Sequence, residues 1–299
     1  MSIILAVVAT GCEPEAQGFY ESGGNEIGLP RNEPTNDRLA RKGATRMIIA
    51  GRKVDVWRPV AGDRPAPLIL FSHGFSGCGA QSSFLMRALA NAGYLVVAPN
   101  HKDARCADGN WTLFGDLPDP SFLSYRRWNA DSYSGRRDDM WAVMEAVLTD
   151  PAFHADPDRI GLVGHSLGGY TVLGLAGAWP AWRTPGIKAV VALSPWCAPF
   201  VAAHTLNGVS VPTEYQGGTL DLGLTPTVKR KDGCYESTPA PAAFVEFSGA
   251  GHLAWTDLIS RYQQQAIRYT LAWLDHYVRD APAAAIPTAG ARVRDQRVK

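Results

Sequence analysis

The sequence predicts an α/β fold in which a mostly parallel sheet carries helices on both of its faces. Short apolar runs without polar alternation recur along the chain, as expected for strands that are covered on both sides. Stretches with helical spacing of apolar residues separate these runs. The 299 residues, 46% hydrophobic and 19% charged, are sufficient for a large buried core. No internal repeat is visible, which favours a single domain.

The regular pattern begins at Ala44 with a predicted hairpin, in which Thr45–Ile49 and Lys53–Pro59 flank Ala50-Gly51-Arg52. Apolar runs then predict strands, and amphipathic spacing predicts helices. In chain order, the further strands are predicted at 67–71, 94–98, 159–163, 187–193, 211–216 and 243–247, and the helices at 82–92, about 136–148, 167–178 and 258–278.

Four segments are predicted along the chain. Residues 1–12 form a possible signal or lipoprotein segment, and 13–43 an extended arm rich in Gly, Pro and Asn. The main domain covers 44–280 and includes a long irregular, aromatic-rich excursion at 102–135, which is either a lid or acyl-pocket wall or a packed surface loop. The Ala/Pro-rich and then basic residues 281–299 are predicted to be a flexible tail.

The first residues favour export. An apolar run from Met1 to Thr10 has the length of a signal-peptide core, and small residues precede Cys12 as in a bacterial lipobox, whose cysteine becomes lipid-anchored. The alternative is an N-terminal strand with a buried free cysteine. We therefore expect a secreted or cell-envelope protein, or a cytoplasmic one if this segment is not a signal.

The charge balance excludes several classes of partner. With 29 Lys and Arg against 28 Asp and Glu, the net charge of +1 provides no basic footprint for nucleic acid. No apolar stretch reaches the roughly 18–20 residues of a membrane span. The sequence contains neither C-x-x-C nor H-E-x-x-H, so that no metal and no cofactor are predicted.

A candidate nucleophile stands in the G-x-S-x-G motif at Gly164–Gly168, with Ser166 at its centre. An apolar strand precedes the motif and an amphipathic helix follows it. A serine on such a tight turn projects its hydroxyl from the sheet edge, and the two glycines allow neighbouring segments to pass closely. This context favours a nucleophile over an ordinary glycine-rich helix cap.

A serine hydroxyl needs a base, and the base needs an acid to orient it. His252 follows a predicted strand in Ser248–His252, which makes it a better candidate base than His204. Asp221, which follows the strand ending at Gln216, is the candidate acid. The competing acids are Asp232, in a polar loop, and Asp257, which we expect to cap the last helix.

Two backbone donors would stabilise an oxyanion. The N–H of Leu167 follows the nucleophile directly, and the N–H of Phe75 lies in the loop after the third strand. His73 is interpreted as a residue that braces this loop. Glu214, inside an apolar strand, has no explanation at this stage.

These residues together resemble the α/β-hydrolase superfamily over about residues 44–278. Within it the chain is most similar to dienelactone-hydrolase-type and platelet-activating-factor-acetylhydrolase-like esterases, the latter through Asn100–Asp103, where Lys102 replaces the usual arginine. Leu193–Trp196 resembles the Thr-Pro-Trp segment of cutinase-type polyester hydrolases, which implies that Trp196 lines the substrate cleft; a core tryptophan is the alternative.

The resemblance implies a serine carboxylester hydrolase with a small-molecule or lipid-like ester as substrate. Neutral short-to-medium acyl esters are favoured over charged ones, because the cleft motifs carry aromatic residues and no arginine clamp. Phospholipid or polyester hydrolysis, acyl transfer to an acceptor other than water, and a non-catalytic binding module on the same fold are the alternatives. If Cys12 is set apart, four cysteines remain. We expect Cys78–Cys106 and Cys197–Cys234, since each pair joins loops at one sheet edge, although three connectivities are open.

Overall fold

A computed structural model describes residues 43–60, 62–105, 119–281 and 286–299. A nine-stranded sheet runs through this described part of the chain. Its strands are β1 Thr45–Ile49, β2 Arg52–Trp57, β3 Ala66–Ser72, β4 Leu95–Pro99, β5 Ala155–His165, β6 Ile187–Leu193, β7 Thr213–Gly218, β8 Ala242–Phe247 and β9 Val293–Val298.

The strands lie in the order β1-β2-β4-β3-β5-β6-β7-β8-β9. The six strands from β4 to β8 in this order are parallel to one another, whereas β1, β2 and β9 pair antiparallel at the two sides. The mostly parallel sheet predicted from the sequence is therefore confirmed. Because parallel strands end at one edge, the loops that follow β3, β5, β6, β7 and β8 all meet there.

Helices cover both faces of the sheet. They are α1 Ser83–Asn91, α2 Ser134–Thr149, α3 Leu167–Leu173, α4 Ala198–Ala203, α5 Thr225–Lys229, α6 Cys234–Ser237 and α7 Gln263–Tyr277. In β3, Leu68 and Leu70 join the hydrophobic cluster that includes residues of α2 and α3, while Ile69 and Phe71 join the cluster with α1 and α7. Both faces of the strand are buried, which explains an apolar run without alternation.

The predicted tail is partly wrong. Val293–Val298 forms β9, which pairs antiparallel with β8 instead of belonging to a flexible segment. The strand lies at the edge of the sheet and remains half exposed, so that its inner residues are Arg, Asp and Gln rather than apolar ones. A pattern search for buried strands therefore misses it.

The predicted role of Asp257 is also wrong. Its carboxylate accepts hydrogen bonds from Ser83 Oγ at 2.6 Å and from the Phe84 N–H at 3.1 Å, at the start of α1 rather than of the last helix. A carboxylate is favourable at a helix N-terminus because it satisfies unpaired N–H groups. Residues distant in sequence thus meet here, which no local pattern indicates.

One predicted disulfide is confirmed, since Cys197 is bonded to Cys234 and joins the segment after β6 to α6. Cys78 is disulfide-bonded, but Cys106 lies outside the described residues, so that the Cys78–Cys106 pairing stays a prediction.

Several other predicted segments also lie outside the described residues. They are the signal segment with Cys12, the arm up to residue 42, and residues 106–118 of the excursion. Among the helices of the described ranges, none combines the length and the apolar character of a membrane span.

Glu214, the second residue of β7, is a buried carboxyl group. Gln216 donates a hydrogen bond to Glu214 Oε1 at 2.7 Å and another to Thr270 on α7 at 2.9 Å, and Gln216 accepts one from Trp255 Nε1 at 2.9 Å. Burial raises the pKa of Glu214 to about 8, against the hydrogen bond from Gln216. The group is therefore neutral at pH 7 and forms part of the packing between β7 and α7.

We expect Glu214→Gln to alter how stability depends on pH. Between about pH 5 and pH 8 the unfolded chain releases this proton and the folded chain retains it, so that the wild-type free energy of unfolding falls with rising pH by up to about 1.4 kcal/mol per unit from this group. The glutamine still accepts from Gln216 and does not ionise, so that the variant gains stability relative to the wild type as pH rises. Urea unfolding at several pH values measures this, with the exposed Glu145→Gln as control. Parallel profiles for wild type and Glu214→Gln would contradict the prediction.

Candidate active site

Ser166 lies on the tight turn between β5 and α3 with a left-handed φ of 56°. Two glycines make the turn possible: a Cβ at Gly164 would overlap the Gly168 carbonyl oxygen, and one at Gly168 would overlap the Ser72 carbonyl oxygen at the end of β3. The Ser166 N–H donates to Leu193 O at 3.0 Å. The turn is therefore wedged between the ends of β3 and β6, with its side chain at the sheet edge.

The structure brings the three predicted side chains of the candidate triad together. His252 Nε2 lies 3.0 Å from Ser166 Oγ, and His252 Nδ1 lies 3.4 Å from Asp221 Oδ1. Asp221 is 4% exposed, whereas the His252 side chain is 37% exposed. A buried carboxylate, a half-exposed imidazole and a serine hydroxyl in this order can remove the serine proton and hold the resulting imidazolium.

The competing residues lie elsewhere. His204 ends α4, and Asp232 lies in the turn before α6. Neither hydrogen bonds to Ser166 or His252 within the described part of the chain. The loops after β7 and β8 thus supply the candidate acid and base in the chain order predicted from the sequence.

Ser194 is a fourth member of this arrangement, and the sequence analysis missed it. Its hydroxyl donates to Asp221 Oδ2 and lies 3.0 Å from His252 Nδ1, from which it can accept a hydrogen bond. The residue follows β6 directly and adopts a φ of 43°, a strained conformation for serine. The sequence did contain a signal for Ser194. It is a polar residue directly after β6, and β6 is the neighbour of β5, the strand that leads to Ser166.

We expect Ser194→Ala to slow acylation of Ser166 by about tenfold, because the His252 ring loses its shorter Nδ1 contact and is oriented by Asp221 alone. The rate of labelling by a fluorophosphonate measures this in the absence of any assumed substrate. Ser210→Ala, an exposed serine away from the triad, is the matched control. Equal labelling rates for wild type and Ser194→Ala would show that Asp221 suffices to orient the base.

Both candidate oxyanion donors lie beside Ser166. Leu167 is the first residue of α3, and Phe75 is in the loop after β3. A Cβ at Gly74 would lie 3.3 Å from Ser166 Cβ, so that this loop passes directly over the nucleophile. Neither N–H has a hydrogen-bond acceptor among the described residues, as expected for donors that face a bound oxyanion.

A polar chain through His165 connects three of these loops. Gln81 accepts from the Gly74 N–H at 3.1 Å and contacts His165 Nδ1 at 3.0 Å, and His165 Nε2 lies 2.9 Å from His252 O. Burial, together with the nearby His252, lowers the pKa of His165 to about 3. A neutral His165 can donate to the carbonyl of His252 and accept from Gln81, so that it fixes the backbone of the base.

A second serine–histidine–aspartate contact lies beneath the site. Ser72 Oγ is 2.9 Å from His101 Nε2, and His101 Nδ1 is 2.9 Å from Asp139 Oδ2. Burial and the nearby Arg136 lower the pKa of His101 to about 4. Ser72 is fully buried, so that a substrate cannot reach its hydroxyl, and the arrangement fixes the ends of β3 and β4.

Trp196 is packed under the described part of the excursion. It is 7% exposed, and its ring makes edge contacts with Phe122 at 5.2 Å, Trp128 at 5.8 Å and Tyr125 at 6.4 Å between centroids. The backbone N–H of Trp196 donates to Ser166 O at 2.9 Å. The backbone of Trp196 therefore touches the nucleophile residue, while contact between its indole and a substrate stays a prediction.

A nucleophile turn between a parallel strand and a helix, with an acid and a histidine from later loops of the same sheet, defines the α/β-hydrolase class. The chain belongs to the X-Pro dipeptidyl-peptidase (S15) family, which matches residues 52–288, more than half of its length.

Curated relatives are cutinases from Thermobifida. Cutinase est2 of Thermobifida alba is 28% identical over 217 residues, which cover 70% of this chain and 59% of the relative. Cutinase cut1 of Thermobifida fusca is 28% identical over 70% of this chain and 56% of its own length, and Cutinase 2 of Thermobifida cellulosilytica is 28% identical over 70% and 68%. The chain thus spans less than two thirds of the length of est2 and of cut1. The match confirms the resemblance to cutinase-type enzymes.

Proposed function

We propose that the protein is a serine carboxylester hydrolase with Ser166 as nucleophile, His252 as general base and acid, and Asp221 as the residue that orients His252. The observation that carries the proposal is the 3.0 Å contact between Ser166 Oγ and His252 Nε2, with Asp221 behind the ring. The similarity to cutinases supports esters as the substrate class.

In this proposal Ser166 attacks the ester carbonyl while His252 Nε2 takes the hydroxyl proton. Negative charge develops on the carbonyl oxygen, where the N–H groups of Phe75 and Leu167 donate to it. His252 then gives the proton to the leaving alcohol as the C–O bond breaks. Water, deprotonated by His252, attacks the acyl-enzyme, releases the carboxylic acid and regenerates Ser166.

Exposed leucines on the loops that carry Asp221 and His252 support neutral, apolar substrates. Leu220 and Leu222 flank Asp221 and are 65% and 66% exposed, and Leu253, next to His252, is 44% exposed. Leu258, in the segment that follows, is 63% exposed. Exposed apolar side chains next in sequence to the acid and the base favour contact with an apolar substrate surface. Neutral acyl esters are therefore our first choice, and a polyester or a lipid-like ester is the second candidate that these leucines favour.

Hydrolysis of an X-Pro peptide is the candidate that the family description raises, since attack on an amide uses the same residues. Side-by-side turnover of a nitrophenyl ester, a phospholipid, a soluble polyester oligomer and an X-Pro nitroanilide distinguishes these substrate classes. We expect the nitrophenyl ester to be turned over fastest. Faster cleavage of the X-Pro amide would assign the site to peptide hydrolysis.

The Cys197–Cys234 disulfide supports an oxidising compartment, because such bonds are rare in reducing cytosol. Together with the apolar run before Cys12, this bond leads us to propose that the protein is exported and that Cys12 is its lipid-anchor site. Mass spectrometry of the mature N-terminus tests this, and an intact unmodified Met1 would contradict export.

We expect Ser166→Ala to lower kcat/KM for nitrophenyl esters by at least about 1000-fold, because the nucleophile is lost while the fold is kept. Turnover assays on the purified proteins measure the effect, and Ser210→Ala is the matched control with wild-type rates. Equal rates for wild type and Ser166→Ala would reject catalysis by this serine and favour a binding module on the same fold.

A further inference from the structure

The Gly74–Phe75 peptide carries one of the two proposed oxyanion donors, and a buried arginine on α2 holds its other end. We propose that Arg136 is a positioning residue that fixes this peptide, so that the Phe75 N–H points at the developing oxyanion. The inference rests on the proposed esterase function and extends it to a residue outside the triad.

The Gly74 carbonyl oxygen accepts three hydrogen bonds. The donors are His73 Nδ1 at 2.7 Å, the Gly77 N–H at 3.0 Å and Arg136 Nη2 at 3.3 Å. Since the peptide is planar and trans, the carbonyl oxygen and the N–H of Phe75 point in opposite directions. The donors that fix the Gly74 oxygen therefore also fix the Phe75 N–H. They polarise the peptide as well, which makes the Phe75 N–H a stronger hydrogen-bond donor.

The flanking N–H groups of the loop are bound to other side chains. The Gly74 N–H donates to Gln81 Oε1 at 3.1 Å, and the Ser76 N–H donates to Asp103 Oδ2 at 3.2 Å. The Phe75 N–H between them has no acceptor in the described ranges. Both neighbouring N–H groups are therefore bound within the protein, and the Phe75 N–H is the one that stays available for an oxyanion at Ser166.

Arg136 has the position and the partners for this role. Its guanidinium is 3% exposed and donates to Asp103 at 2.7 and 3.1 Å and to the His73 carbonyl oxygen at 2.7 Å. Burial opposes the charge on Asp103, but Arg136 keeps the pKa of this carboxyl well below its usual value. A planar fork with several donors can reach Asp103, His73 O and Gly74 O together, whereas a lysine ammonium is a single point.

His73 completes the arrangement as a neutral ring. Its Nε2 accepts from the His101 N–H at 3.0 Å, which leaves the proton on Nδ1 for the Gly74 carbonyl. Burial and Arg136 lower the pKa of His73 well below its usual value, in agreement with a neutral ring beside a cation. Arg136 therefore also holds, through the His73 carbonyl, the residue that makes the shortest contact to Gly74 O.

The test compares Arg136→Lys with wild type for turnover of a nitrophenyl ester and for binding of an alkyl boronic acid, whose tetrahedral adduct with serine places an oxygen in the oxyanion site. We expect kcat to fall by about 10- to 100-fold, with KM changed by less than about twofold. This decrease does not exceed the one expected when an oxyanion donor is removed altogether, because the Phe75 N–H is still present but less well oriented. Boronic acid affinity should fall by a similar factor. Asp103→Asn, which loosens the guanidinium, should show the same split to a smaller extent.

Arg137→Lys is the matched control. This neighbouring arginine on α2 pairs with Asp138 at 2.7 Å and lies over the Trp141 ring at 4.8 Å, away from the loop. We expect its kcat, KM and boronic acid affinity to equal those of wild type.

Unchanged kcat and boronic acid affinity in a folded Arg136→Lys protein would overturn the inference, as would a rise in KM alone, since that indicates a substrate contact. If Arg136→Lys does not fold, as judged by circular dichroism, Asp103→Asn decides by the same criteria. If wild type itself shows no turnover that depends on Ser166, the proposed function fails and the inference fails with it. Wild-type turnover with unaffected variants rejects the inference alone.

Discussion

The close approach of the β3 loop to the turn that carries Ser166 is the contact on which the candidate site depends. Gly168 permits it at the Ser72 carbonyl, and Gly74 permits it beside Ser166 Cβ, since a side chain at either position would meet these atoms. This approach brings the loop that carries Phe75 next to Ser166, the residue that directly precedes α3. The parallel order of the strands brings the loops of Asp221 and His252 to that edge.

Buried neutral histidines stabilise the arrangement without adding charge. His73, His101 and His165 are each buried with a lowered pKa, and each contacts polar groups through both ring nitrogens. Unpaired polar groups in such an interior are costly, so a fully bonded network favours one conformation of its loops. The half-exposed His252 is left as the ring that a substrate can reach. All four histidines lie within one cluster of loops. Their difference in burial separates the three structural rings from the candidate base.

The sequence predicted the parts of the molecule that local pattern determines. β6 was predicted at its observed bounds, Ile187–Leu193, because a strand buried on both faces is a continuous apolar run. Ser166, Asp221 and His252 were found because each follows such a strand, and the structure brings them together; their catalytic roles are proposals.

The parts that were missed depend on contacts between distant segments. Asp257 was assigned to the helix that follows it, whereas it caps α1, more than 170 residues earlier in the chain. Ser194 and Arg136 are an ordinary serine and arginine in the sequence, and only the meeting of β6 with β7 and of α2 with the β3 loop gives them their partners. β9 was not predicted because a half-exposed edge strand does not require the continuous apolar run by which the other strands were recognised.

The most direct test of the account is identification of the residue that becomes acylated during turnover. The protein is mixed with excess nitrophenyl ester, quenched in acid within the first turnovers, digested and analysed by mass spectrometry. The account predicts the acyl mass on Ser166, with the adduct absent from Ser166→Ala. An acyl group on another residue, or turnover with no adduct in wild type, would contradict it.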